Sequence, residues 1–137
     1  MAELVVLAPL LLLLMLGVIE AGRAGDLALT VGNAARAGVQ YGAQNSVTAA
    51  DLTGMETAAT NDANLSGVTA VASTYCLCED QTASTCGQSG ACSTTHQNTF
   101  VKVVVTGTET SIINYAPLPA GLRSVSISTT AVLRVRP

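Results

Sequence analysis

Four cysteines, Cys76, Cys78, Cys86 and Cys92, fall within 17 residues of one polar stretch that also holds Gly87 and Gly90. Thiols this close together can hold a metal, carry out redox chemistry or cross-link the chain. The spacing C-x-C-x7-C-x5-C lacks the paired knuckles of a structural zinc site even with His96 nearby, so no metal is expected. Disulfides formed in an oxidising compartment suit the context better. Cys76 and Cys78 are two apart, so in a strand they point the same way, and joining them would strain the backbone. Two pairings remain: 76–86 with 78–92, or 76–92 with 78–86.

The other candidates for chemistry are sparse. His96 lies in the same polar loop without an acid or base partner, and the chain has no nucleophile elbow, phosphate loop or pair of acids on a rigid frame. No C-x-x-C-H haem attachment is present either. An enzyme and a cofactor are not expected. With a net charge of -3, six scattered basic residues, one Phe and no Trp, there is no electrostatic or stacking footprint for nucleic acid. The Asn64-Leu65-Ser66 triplet fits a glycosylation acceptor, but a turn is the simpler reading.

The elements that must position these residues begin with an apolar run. Leu4 to Ile19 contains no polar side chain, although charged residues make up only 11% of the whole chain and hydrophobic ones 49%. At ~1.5 Å per residue the run is about 24 Å long, slightly less than a ~30 Å hydrocarbon core. Gly17, Ala21, Gly22, Ala24 and Gly25 can extend it. A cleavable secretory signal carries basic residues before its apolar run, whereas here Glu3 precedes it and the first basic residue is Arg23.

Beyond Asp26, the positions Leu27, Val31, Ala34, Ala35, Gly38 and Tyr41 recur at three- and four-residue spacing, so one helix is expected over Ala2–Ala43. Its first half is apolar on all sides; its second is amphipathic, with small residues on the buried stripe. Pro9 removes one backbone donor and is expected to kink or loosen the first half. A weaker helix is expected over Thr48–Asn61, with Leu52, Met55 and Ala59 on one face.

Strands are expected over Val68–Cys78, Phe100–Thr108 and Leu122–Arg136. The last alternates Val125, Ile127, Thr129, Ala131, Leu133 and Val135 with Ser, Thr and Arg, and Pro117, Pro119 and Gly121 set the turn before it. Glu79–Asn98 reads as a polar loop ordered by the disulfides. The fold class is α+β: a long hydrophobic-then-amphipathic helix, residues 1–43, packed on a small antiparallel sheet within a head of residues 44–137, with a cysteine loop at 76–98.

The N-terminal motifs resemble the TadE-like pilins and pseudopilins of the tight-adherence branch of type IV pilus systems. The matching residues are Glu3, Leu4 and the apolar run, Pro9 with Leu10, Leu11, Leu12, Leu13 and Leu14, then Gly17, Glu20-Ala21-Gly22-Arg23, and Asn33-Ala34-Ala35-Arg36 with Gly38. About the first 45 residues carry the resemblance; the β-rich remainder shares only the layout. Ala21 stands where the family has an aromatic residue. The acid is third, where processed pilins carry it fifth, so either the native mature terminus differs from Met1 or processing does.

The resemblance implies a structural subunit that sits in the inner membrane as a precursor, is handled by pilus assembly machinery, and polymerises with itself into an extracellular filament for surface attachment. It implies a partner for Glu3 in the free N-terminal amine of its own or a neighbouring subunit. It also implies assembly roles for Leu4, Pro9, Leu10 to Leu14, Gly17, Glu20, Arg23 and Arg36. Glu20 and Arg23, three apart on one face, can pair within or between chains. The alternatives are a minor pseudopilin that primes or tips a pilus, and a membrane-anchored binding module stabilised by its disulfides.

Overall fold

The computed structural model describes residues 2–87, 92, 96–112 and 123–136, with the backbone alone for residues 2–6. The first element, α1 (Ala2–Gly42), is one helix of 41 residues, about 60 Å at ~1.5 Å per residue. It runs through Pro9 without a break, so the expected kink does not divide it. Two short helices follow, α2 (Ser46–Ala50) and α3 (Leu52–Ala63), and then strands β1 (Val68–Cys78), β2 (Ala83–Ser84), β3 (Gln97–Thr110) and β4 (Ser124–Arg134). The strands form one antiparallel sheet in the order β2-β1-β3-β4.

The helix expected over Thr48–Asn61 is in fact two. Asn45 begins the first with a capping box: its Oδ1 accepts from the amides of Val47 and Thr48, both at 2.9 Å, while Thr48 Oγ1 accepts from the Asn45 amide at 3.2 Å. Asp51 then leaves helical geometry at φ -87° and ψ 77° and caps the second helix, accepting from the Gly54 amide at 2.9 Å. Leu52 therefore starts a new helix and lies 40% exposed rather than on the buried face, whereas Met55 and Ala59 are fully buried. Asn64, in the left-handed region at φ 46°, ends α3, which agrees with the turn reading of its triplet.

The core is a sandwich of helices on one face of the sheet. From α1 it takes Leu27, Val31, Ala34, Ala35 and Val39; from α3, Met55, Ala59 and Ala63; from β3, Val101, Val103 and Val105. Val39 completes the face expected from spacing, and Tyr41 lies at its margin, donating to Asp51 Oδ2 at 2.9 Å. Small residues let the layers approach. A Cβ on Gly38 would meet the Met55 carbonyl oxygen at 2.9 Å and Val103 Cγ1 at 3.1 Å, and one on Gly107 would meet Val31 and Leu27.

Strand β1 has the bounds read from sequence, and β3 exceeds its expected range at both ends because its whole length pairs with β1 or β4. In β4 the alternation holds from Val125 to Ala131. Leu133, opposite fully buried Val101, departs from it and is 41% exposed, because α1 presents Gln40, Ala43 and Gln44 there and offers no large cover. The turn assigned to Pro117, Pro119 and Gly121, and Leu122 itself, lie outside the described residues. Within the cysteine loop the chain makes the short strand β2, paired to β1 at Cys76 and Leu77, which local pattern did not reveal.

Candidate assembly surface

α1 changes character along its length. Leu7, Leu10 to Leu16 (with Met15 among them), Val18 and Ile19 are between 37% and 65% exposed, while from Leu27 onward the helix buries a stripe in the head. These ten large side chains project from the fold with little of the chain packed over them. Full burial of one such side chain from full exposure is worth ~1.5–3 kcal/mol, so at their partial exposure covering all of them is worth on the order of 10 kcal/mol. The segment Leu7–Gly42 is long and apolar enough to cross a membrane. Among the described residues, nothing lies within 4 Å of where a Cβ would sit on Gly17, Gly22 or Gly25. Glu3 and Leu4 lie in the helix, and their side chains are outside the described set.

Where the exposed half meets the head, charge replaces apolar surface. Arg23 lies 3.8 Å from Glu20, the pair expected from helical spacing, and 3.3 Å from Glu109 at the end of β3. Glu20 also accepts from the Ile112 amide, at 3.3 and 3.4 Å to its two oxygens. Sequence reasoning missed Glu109 and Ile112, since nothing local links them to α1. The cluster clamps the β3 end of the sheet to the helix at the junction of its two halves. Arg23 is more than one third exposed, so replacing it with Ala is expected to cost less than ~1 kcal/mol. A double-mutant cycle with Glu109→Ala checks this; a coupling several times larger would mean the pair is far less solvated than its exposure indicates. Arg36 is exposed.

At the opposite end of the head, the disulfides join Cys76 to Cys86 and Cys78 to Cys92, the first of the two pairings left open by the sequence. Cys76 and Cys78 are buried on β1, as their shared strand face requires. Gln97 supplements them: its Nε2 donates to Ser84 Oγ at 2.7 Å and to the Thr85 carbonyl at 2.8 Å, and its Oε1 accepts from the Gly87 amide. His96 is exposed. An open cleft of about 640 Å³ lies beside the loop, lined by Leu52, Thr74, Gly87, Gln97, Arg134 and Arg136 among others.

Two carboxylates in this part of the head are held below their ordinary value of 3.8. For Asp51 the causes are the Gly54 amide and then the Tyr41 hydroxyl; for Asp80 they are the Thr82 hydroxyl and amide. A carboxylate depressed on folding stabilises the fold above its unfolded pKa, and this contribution is lost as pH falls through the folded value. Stability is therefore expected to be level near neutrality and to decline only below about pH 4. Acid titration followed by circular dichroism checks this, and Asp51→Asn should flatten the decline.

Comparison with curated proteins and with solved structures gives no match. The apolar segment, the Glu20–Arg23 junction and the Asn33-to-Gly38 stretch all fall in α1, and residues 1–40, which contain all three, match the family model described as TadE-like protein.

Proposed function

We propose that the chain is a pilin, a structural subunit that polymerises through its N-terminal helix into an extracellular type IV pilus-like filament serving surface attachment. The observation that carries this reading is the uncovered apolar half of α1, continuous with a half that is firmly packed in the head. Before assembly, lipid covers the apolar side chains. Afterwards, neighbouring helices do so, and a heterologous contact that does not close on itself extends into a fibre. Gly17, Ala21 and Gly25, four residues apart, form a strip on which helices can approach closely. Glu3 pairs in this scheme with an N-terminal amine, which relieves the cost of a carboxylate among apolar side chains.

The TadE-like match over residues 1–40 is consistent with a pilus-associated subunit. The disulfides suit a head displayed outside the cytoplasm. Electron microscopy of sheared cell-surface material, with mass spectrometry of the fibres, tests the proposal. This chain is expected as the major component of a thin helical fibre. Presence in trace amounts would instead indicate a minor pseudopilin, and recovery solely from membranes, with no fibre, would defeat the filament reading.

A further inference from the structure

Charge runs along this sequence in blocks. Between residues 37 and 101 there is no Lys or Arg, and the charged residues are Asp51, Glu56, Asp62, Glu79 and Asp80. After Glu109 there is no further acid, and the charged residues are Arg123, Arg134 and Arg136.

The fold converts these blocks into sides. The sheet order places β1 and β2 at one edge and β4 at the other. α3 belongs to the first edge, where Glu56 Oε1 accepts from the Ala72 amide of β1 at 3.0 Å. Arg36 belongs to the second. It is one turn before Gln40 and so shares its helix face, and Gln40 borders a cleft with Leu133, Arg134 and Arg136. One flank of the head thus carries Glu56, Asp62, Glu79 and Asp80 and the other Arg36, Arg134 and Arg136, with Lys102 on β3 between them. The two flanks meet at the cleft that Leu52 and Thr74 share with Arg134 and Arg136. The head residues outside the described set carry no charged side chains to blur the division. Among the described residues the ion pairs are those of Arg23 with Glu20 and Glu109, so neither flank is neutralised within the chain.

We propose that the acidic flank of one copy, formed by α3, β1 and β2, docks against the arginine flank of the next copy, formed by β4 and the outer face of α1. This rests on the filament reading and adds which sides of the head meet. Like flanks repel, which disfavours a closed two-fold dimer. Unlike flanks attract, and their contact is heterologous, the kind that propagates. The matching acidic surface on the same chain makes a second copy the best fitted partner for the arginines. Individual exposed pairs are weak, so the apolar helices supply most of the cohesion and the flanks set register and polarity.

The test uses the full chain in cells that assemble it. One variant carries Arg134→Glu with Arg136→Glu, the other Asp62→Arg with Glu79→Arg. Each alone is expected to lower the yield of sheared filament at least tenfold, and co-expression of the two to restore filaments containing both chains. Wild-type yield from either variant alone, or no recovery on co-expression, would overturn the proposal. Far-UV circular dichroism separates a folding defect from a docking defect, with Arg134→Gln and Arg136→Gln as the milder replacement if the reversal misfolds. If the wild-type chain forms no filament, the polymer reading fails on that observation. The flank contact is then decided by sedimentation of the detergent-solubilised full chain from roughly 0.02 to 0.5 M salt. Salt-reversible self-association lost in both variants supports it, and association that ignores salt and charge reversal refutes it.

Discussion

Replacing Cys86 and Cys92 together by Ser is expected to remove about 3–5 kcal/mol of head stability, the largest loss expected from any pair of substitutions outside the buried core. The bridges close loops with sequence separations of 10 and 14, and a loop of roughly 15 residues is worth about 3 kcal/mol in chain entropy. The bridges interleave, Cys78 lying inside the first loop and Cys86 inside the second, so each shortens the path the other must close and the two contributions fall short of their sum. Cys76 and Cys78 are left in place because they are buried and act as small apolar side chains when reduced. Denaturant unfolding of the full chain in non-ionic detergent, followed by the strand signal in circular dichroism, measures the loss. An unchanged midpoint would mean that β2 and the Gln97 hydrogen bonds hold the loop unaided.

Gly38→Val is expected to cost about 3 kcal/mol, at the upper end of overpacking effects. A Cβ at this position already meets a backbone oxygen of α3 at 2.9 Å and Ala59 Cβ at 3.2 Å, and the two γ-methyls of Val extend further into the same space. Rotamer change cannot relieve a contact with backbone, so α1 and α3 must separate and the buried valines of β3 lose contacts. Gly38→Ala is expected to be milder, since leaving Gly gains roughly 1 kcal/mol of helix propensity against the strain. Gly32→Ala is the control. Nothing among the described residues lies within 4 Å of its Cβ position, and the substitution is expected to stabilise by up to ~1 kcal/mol. Should Gly38→Val and Gly32→Ala shift the unfolding midpoint alike, the close crossing of α1 over α3 would be wrong.

The glycine expectation rests on contacts that α1 makes in its second half, yet the functional proposal rests on contacts its first half does not make. The two halves answer different requirements. The stripe from Leu27 to Val39 needs small residues because it is pressed between a sheet and a second helix. The run from Leu7 to Ile19 has large ones that the head leaves uncovered, which the proposed filament reading accounts for by lipid or other copies of the chain. Glu20, Arg23 and Glu109 mark the boundary, with a charged clamp that stays within reach of water.

Local sequence was sufficient for α1, for the bounds of β1, for the inward valines of β3 and for most of β4, because each is recorded in a period of 3.6 or 2 that burial imposes directly. It also restricted the cysteines to two pairings, since a pair two apart on a strand cannot bond to itself without strain. The choice between those pairings, the short strand β2, the exposure of Leu52 and Leu133, and the tie from Arg23 to Glu109 were decided by tertiary structure. Each depends on which distant segment arrives opposite a residue, and periodicity holds no information about that. Charge shows the difference most plainly. Sequence order contains the acidic and basic blocks, but only the sheet order β2-β1-β3-β4, with α3 beside β1, carries most of each block to a different edge of the sheet.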